Sequence, residues 1–246
     1  MPQTIIRSDE RVNGNQQPCF FLALQATYTS VEVGLCHNQI IDIYKTIPTH
    51  DASKQLIPTV AALLAERNLP LRDLAFCVVS VGPAPFTTLR TVIATVQGLA
   101  YGAQLPIVAV NGLEAFAQSC RDESAQVMPY THTFVLLHAF GQDVYYAQAD
   151  HAQGTVATGC LSFEAWLVTL SQFLKSHPTA RIRFVGNGYA KHARRLMEVF
   201  DRPLCAYDAV PGYLPFTELI ATGIAQWEAK QGIVRELTPL YFKSYV

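Results

Sequence analysis

The order of elements along the chain predicts an α/β fold in two successive lobes, each a mixed sheet with flanking helices. Three observations carry that expectation. The central stretch, residues 76–118, reads as strand, tight loop, helix, strand, helix. Three strand candidates and a helix precede it. After it the same order, three strands and then a helix, returns in fainter form.

The central stretch is the most explicit. Phe76-Cys77-Val78-Val79-Ser80-Val81 is apolar and rich in β-branched residues, which suits a buried strand. Gly82, Pro83 and Pro85 forbid helix and leave a stiff loop, with Thr87 or Thr88 available to cap the next helix. Leu89, Val92, Ile93, Val96 and Leu99 then recur at three- and four-residue steps, one face of a helix running to Tyr101. Gly102 is placed to end it. Residues 106–110 form a second strand, and Asn111 with Glu114 three residues later opens another helix. A second stripe runs up the long helix: Thr91, Thr95, Gly98 and Gly102 are small residues at helical spacing. Either the stripe packs on the sheet beneath, the reading preferred from spacing alone, or a helix of another chain lies along it.

Upstream, residues 19–25, 31–37 and 39–44 are strand candidates, and the tight spacing around Asn38 suggests a hairpin. Asp51 or Ser53 caps a helix that carries Leu56, Ile57, Val60, Leu63 and Leu64, with Pro58 expected to bend it or delay its start. Downstream, residues 133–137, 144–149 and 156–161 are strands, and residues 163–174 are a helix after Ser162. Residues 181–185 form a strand stopped by Gly186-Asn187-Gly188. Residues 189–200 form a short helix bearing Lys191, His192, Arg194 and Arg195, and residues 216–230 form the last good helix. Pro239-Leu240-Tyr241-Phe242-Lys243 reads as an extended tail docked by its aromatics. The domain expectation is a flexible tail at residues 1–18 and lobes at 19–118 and 119–246. Two like-folded α/β lobes in tandem suggest the actin-like ATPase (ASKHA, ribonuclease-H-like) and sugar-kinase architecture.

Composition sets outer bounds. Of 246 residues, 50% are apolar and only 15% charged, so the surface is short of charge, which leans towards cover by a partner. A net charge of −1 offers no global attraction for nucleic acid. No apolar run reaches bilayer length and the polar start is not a signal peptide, so cytoplasm is the default and no membrane partner is expected. The six cysteines are scattered without a Cys-x-x-Cys pair, and the seven histidines lack metal-ligand spacing, so packing thiols and no metal are expected.

The residues then carry a resemblance. Val81-Gly82-Pro83-Ala84-Pro85-Phe86-Thr87-Thr88-Leu89-Arg90, then Ala94-Thr95-Val96-Gln97-Gly98-Leu99-Ala100, then Pro106 to Ala115, is similar to the TsaB (YeaZ) family. The family pattern is Val-Gly-x-Gly-Pro-Gly-Ser-Phe-Thr-Gly-Leu-Arg, followed by Ala-x-Gly-Leu-Ala and a Pro-Val-x-Gly-Val-Ser-Ser-Leu-Glu-Ala segment. Gly186-Asn187-Gly188 and the terminal Pro239 to Lys243 resemble its later landmarks. The resemblance implies the two-lobed actin-like fold and a non-catalytic role in placing N6-threonylcarbamoyl on tRNA adenosine. It implies pairing with the catalytic TsaD subunit through helices of the first lobe, with TsaE, a small ATPase, joining, and tRNA met through the complex. The interface residues so expected are Ile57, Val60, Ala61, Leu64, Arg90, Thr91, Thr95 and Gly98, and self-pairing is expected when the chain is alone.

Departures from the pattern bear on nucleotide chemistry. The family's Ile-Asp-Thr-Ser at the end of the first strand is Leu24-Gln25-Ala26-Thr27 here, and an amide neither holds a hydrated cation by charge nor acts as a base near neutral pH. The family's His-Ser-Glu before the first helix is Ala52-Ser53-Lys54. In the loop, Ala84 and Thr88 replace glycines and Pro85 replaces serine, removing an N–H that would meet a phosphate. The expectation is a decayed site near Gln25, Gly82, Ala84 and Pro85, with no cofactor. Arg90 docks a partner or an RNA phosphate, or else pins the loop by bonding carbonyls. Lys191, His192, Arg194 and Arg195 touch tRNA or form a solvated face, the latter preferred. Two other classes stay open: an ATPase or kinase of the same fold, against which Gln25 speaks, and a protease, for which no metal spacing or Gly-x-Ser-x-Gly elbow is present.

Overall fold

Apolar residues that alternate too little to leave a wet face build the middle of each sheet. A computed structural model describes residues 19–120, 130–199, 205–206 and 212–242. In chain order the first elements are β1 (Phe20–Ala26), β2 (Ser30–His37), β3 (Ile40–Pro48), α1 (Ala52–Ala65), β4 (Cys77–Ser80), α2 (Phe86–Ala103), β5 (Ile107–Val110) and α3 (Gly112–Ser119). Then come β6 (His132–His138), β7 (Asp143–Asp150), β8 (Thr155–Ser162), α4 (Phe163–Ser176), β9 (Ile182–Val185), α5 (Asn187–Val199), β10 (Cys205–Ala206), α6 (Phe216–Glu228) and β11 (Ile233–Val234). By packing, the chain forms two compact units. As far as they are described, residues up to 80, 84–109 and 223–238 make the first, and residues 81–83, 110–222 and those from 239 on make the second. Each unit is a mixed sheet with flanking helices. None of the described helices is long and apolar enough to cross a membrane.

In the first unit the sheet order is β11-β5-β4-β1-β2-β3. β1 lies antiparallel to β2 and parallel to β4, so its residues are covered on both faces and Phe21 to Leu24 have no exposure. The turn to β2 is closed by Thr27, whose hydroxyl donates to the Ser30 carbonyl at 2.9 Å. Asn38, at φ 56, makes the expected hairpin between β2 and β3. One face takes a stack of rings, Phe21 on Phe76 and Phe76 on Trp227, with centroids 4.6 and 4.4 Å apart. There Gly223 comes so close that a Cβ would lie 2.4 Å from Val78. The second helical layer is α1 over β2 and β3 and α2 over β1 and β4.

Local differences from the expectations have physical reasons. α2 opens at Phe86 with Pro85 as its cap residue, so Thr87 and Thr88 lie inside the first turn and cap nothing. It runs through Gly102 and stops at Gln104, which takes the left-handed conformation at φ 55. Pro58 sits inside an unbroken α1, on the exposed side where water can satisfy the carbonyl it leaves unpaired.

In the second unit the order is β10-β9-β6-β7-β8. β6, β7 and β8 form an antiparallel meander, and β9 joins parallel to β6. α4 and α5 cover one face over an aromatic core of Phe134, Phe163, Trp166 and Phe184. α3 covers β7 and β8. The expected caps are present: Asn111 accepts from the Leu113 and Glu114 amides, and Ser162 from the Ala165 amide. Gly186, at φ 99, turns β9 into α5; a Cβ there would stand 2.3 Å from the Leu136 carbonyl oxygen. The closing segment is extended as expected: the Leu240 amide donates to the Val81 carbonyl and Phe242 lies over Tyr145 at 5.7 Å. The expected tail at residues 1–18, and Lys243, lie outside the described residues.

Candidate docking face

The outer side of α1 and α2 is exposed but carries little charge. α1 has 14 residues with Lys54 as its one charge, and α2 has 18 with Arg90 as its one charge. Leu89, Val92, Ile93 and Val96 point α2 into the core, which fixes the opposite side outward. That side carries Arg90, Ala94, Gly98, Tyr101 and Gly102, all exposed, with Thr91 and Thr95 half-buried. Tyr101 is 88% exposed and Ile57 of α1 is 60% exposed. A Cβ placed on Gly98 or Gly102 would meet nothing within 4 Å. The small stripe therefore does not pack on the sheet, contrary to the reading preferred from spacing: the sheet-facing arc is already filled by the large apolar residues. Among the expected interface residues, Ile57 and Ala61 face outward, whereas Val60 and Leu64 are buried at 2% and 8% exposure. Those two point into their own core because they share the inward face with Leu56 and Leu63.

Two small details tune this face. The Thr91 hydroxyl donates back to the Thr87 carbonyl at 3.0 Å, so its donor is already used within the helix. The Arg90 guanidinium lies over the Phe86 ring, 3.9 Å from its centroid, which shields the half-exposed ring.

The residues of the expected decayed site behave differently. Gln25 is 2% exposed, and its amide donates to Glu32 Oε2 on the neighbouring strand. The Tyr44 hydroxyl donates to Glu32 Oε1 from the strand beyond. Glu32 is itself 7% exposed, a buried carboxylate satisfied by an amide and a phenol. Sequence reasoning passes over it. The available signal is a single acid in an otherwise uncharged strand, opposite Gln25 once the hairpin register is drawn. Its chemistry here is to tie three strands together. Gly82 has φ 114 and a cis peptide to Pro83, and Pro85 leaves the start of α2 short of one donor. Among the described residues no group of three potential ligands could hold a metal ion.

The cationic helix of the second unit is engaged by its own neighbours. Arg194 meets Glu198 at 3.3 Å, and Arg195 meets Glu164 and Glu198, each at 3.6 Å. Lys191 donates to the Gly141 carbonyl at 3.3 Å, and the His192 ring stacks on Phe163. Three described thiols are packing groups: burial pushes Cys36 and Cys77 up to about 12 and Cys120 to about 11.

Known proteins of similar sequence and shape converge on one family. The family model described as TsaD, tRNA N6-adenosine threonylcarbamoyltransferase, matches residues 46–178, more than half the chain. The tRNA threonylcarbamoyladenosine biosynthesis protein TsaB of Haemophilus influenzae is 23% identical over 92% of this chain and 94% of its own length. A tRNA N6-adenosine threonylcarbamoyltransferase of Maricaulis maris is 36% identical over 35% of this chain and 25% of its own. In fold, the chain is similar to YeaZ from Pseudomonas aeruginosa, with a TM-score of 0.65 and 23% identity over 91% of this chain and 99% of that one. The two mixed-sheet units thus share the fold of YeaZ. The chain belongs to the TsaB (YeaZ) branch of the sequences that the TsaD family model describes.

Proposed function

We propose that this chain is a non-catalytic scaffold subunit in tRNA N6-threonylcarbamoyladenosine formation, pairing through the outer side of α1 and α2 with a TsaD-like catalytic subunit. The observation that supports this most is the open space over Gly98 and Gly102 on a helix with a single charge. A face of that kind lets another backbone approach closely, and Ile57 and Tyr101 supply apolar area at its margins. The residues offered to the partner are Ile57, Ala61, Arg90, Thr91, Thr95 and Gly98. A TsaE-like ATPase joins the pair, tRNA is met through the complex, and the work is cytoplasmic. Alone, the chain pairs with itself through the same face. The lack of a charge at Gln25 and of a donor at Pro85 favours this reading over an ATPase or kinase.

The test is a pair of substitutions read by pull-down and gel filtration with the TsaD-like subunit. The parent chain should form an interface of about 1,200–2,000 Å². Thr95→Arg and Gly98→Glu should leave the fold intact and abolish co-elution. Retention of binding by both folded variants would show that the partner docks elsewhere.

A further inference from the structure

The cations of α5 are not alike. Arg194 is held by Glu198, and Arg195 by Glu164 and Glu198, so their charge is balanced on the spot. Lys191 pairs with no carboxylate among the described residues. Its ammonium meets neutral acceptors instead, the Gly141 carbonyl at 3.3 Å and His138 Nδ1 at 3.4 Å. Burial and the ammonium itself hold His138 below its ordinary value, so near neutral pH its ring is uncharged and accepts. Lys191 thus keeps its full positive charge at the surface.

Gly141 belongs to the turn that joins β6 to β7. The Asp143 amide donates to the Phe140 carbonyl at 3.3 Å, the Ala139 amide donates to the Asp143 carbonyl at 3.1 Å, and Gly141 takes φ 70. A turn closed in this way, and tied to α5 by Lys191, holds its side chains in place. Phe140 opens the turn and is 84% exposed, whereas Ala139 before it and Val144 after the turn are buried. A lone exposed apolar residue says nothing by itself. Here, however, the bare ring precedes by one residue the carbonyl that receives an unbalanced ammonium.

We propose that Phe140 and Lys191 form a contact point for one nucleotide of single-stranded RNA, the base stacking on the Phe140 ring and the phosphate meeting the Lys191 ammonium. An aromatic platform beside a cation is how single strands are held without sequence preference, because every base has a π-face. The proposal rests on the reading of this chain as a subunit of a tRNA-modifying assembly, where unstacked loop bases are at hand. It adds that the second unit touches the RNA itself. The contact is local, in keeping with a chain whose net charge of −1 gives no general pull on nucleic acid.

The test uses the full chain and a short single-stranded RNA carrying 2-aminopurine, whose fluorescence falls when it stacks. The parent should quench it at low salt. Phe140→Ala should abolish the quench and raise the Kd about tenfold, and Phe140→Tyr should restore both. Lys191→Gln should raise the Kd several-fold and make its salt dependence shallower by about 0.7 in the log–log slope. Both side chains are exposed, so the variants should keep the urea midpoint of the parent. A parent that gives no quench overturns the proposal, as does a quench that Phe140→Ala leaves unchanged. ATP should not compete at the concentration of the RNA; equal competition would give the pair to a free nucleotide and overturn the RNA contact. Unchanged RNA binding by Phe140→Ala with loss of co-elution with the TsaD-like subunit would overturn it too, and give the ring to that protein. Pairing with the TsaD-like subunit is read by co-elution without RNA, and RNA binding on the chain alone, so either reading can fail without the other.

Discussion

The two units solve the same packing problem and leave opposite surfaces open. In the first, the helices present a side with almost no charge, while the sheet edge at β3 is guarded by Asp42, Lys45 and Pro48. In the second, the outer helix α5 is laced with ion pairs, while β8 at the sheet edge holds no charged residue. Their cores differ as well. The first buries a carboxylate between Gln25 and Tyr44, whereas the second is packed with Phe134, Trp166 and Phe184 and keeps histidines at its margins. A shared strand order thus says little about where a chain meets others. It does not bring a shared distribution of surface charge either.

The sharpest way to break this comparison is one substitution made in each unit. Gly186 combines φ 99 with a Cβ position 2.3 Å from a backbone carbonyl, which cannot move aside cheaply. Gly186→Ala should lower stability by about 3 kcal/mol, from backbone strain and overpacking together. Gly98 is helical, and its Cβ position is open. Gly98→Ala should raise stability by about 0.5–1 kcal/mol through helix propensity alone. Urea unfolding would read both. A loss at Gly98 similar to that at Gly186 would mean the stripe is packed after all.

That contrast also shows what sequence can and cannot carry. The hairpin at Asn38, the caps at Asn111 and Ser162, and all the long strands and helices obey local rules, since turn residues and periodicity report on near neighbours. β10 and β11 leave no such signal, because two residues hold no period. The ends of α2 differ from the expected ones because Pro85 takes the cap position and Gln104 accepts a conformation usually left to glycine. The inward turn of Val60 and Leu64, against the outward turn of Ile57 and Ala61, depends on the angle of α1 on the sheet, which spacing alone leaves free. Glu32 is hidden for a similar reason: its partners Gln25 and Tyr44 come from two other strands.

A smaller effect separates the units by pH. Burial holds the imidazoles of His132, His138 and His192 below their ordinary value, with His177 adding to the first and Lys191 to the other two. Asp150 and Glu164 oppose this at His132 and His192. All three lie in the second unit. A depressed folded value means that the unfolded chain takes up the proton first as pH falls. The stability is therefore present above the unfolded value of about 6.5 and is lost below it, through the folded values. Each unit has one tryptophan to report: Trp227 on Phe76 in the first and Trp166 in the core of the second. In Trp227→Phe the Trp166 signal should show a lower urea midpoint at pH 5.5 than at 7.5. In Trp166→Phe the Trp227 signal should move less. Equal shifts would mean these histidines do not set the units apart.

The smallest expected effect tests whether the charged face of α5 is only solvated. Arg194, Arg195, Glu164 and Glu198 keep half or more of their side-chain surface in water, with Arg194 at 95%. Ion pairs so placed gain little, because water screens them and two long side chains must be held still. A double-mutant cycle between Arg195 and Glu198 should give a coupling below about 1 kcal/mol that shrinks further in high salt. The same geometry bears on RNA. Phosphate binding relies on release of counterions by cations that face the backbone, and here two carboxylates already neutralise the two arginines. Replacing Arg194 and Arg195 by Ala together should therefore leave retention of tRNA by the proposed complex with a TsaD-like subunit unchanged at physiological salt. A several-fold loss, with a weaker salt dependence, would turn the comparison round, making α5 the working surface of the second unit and its ion pairs the resting state of an RNA contact.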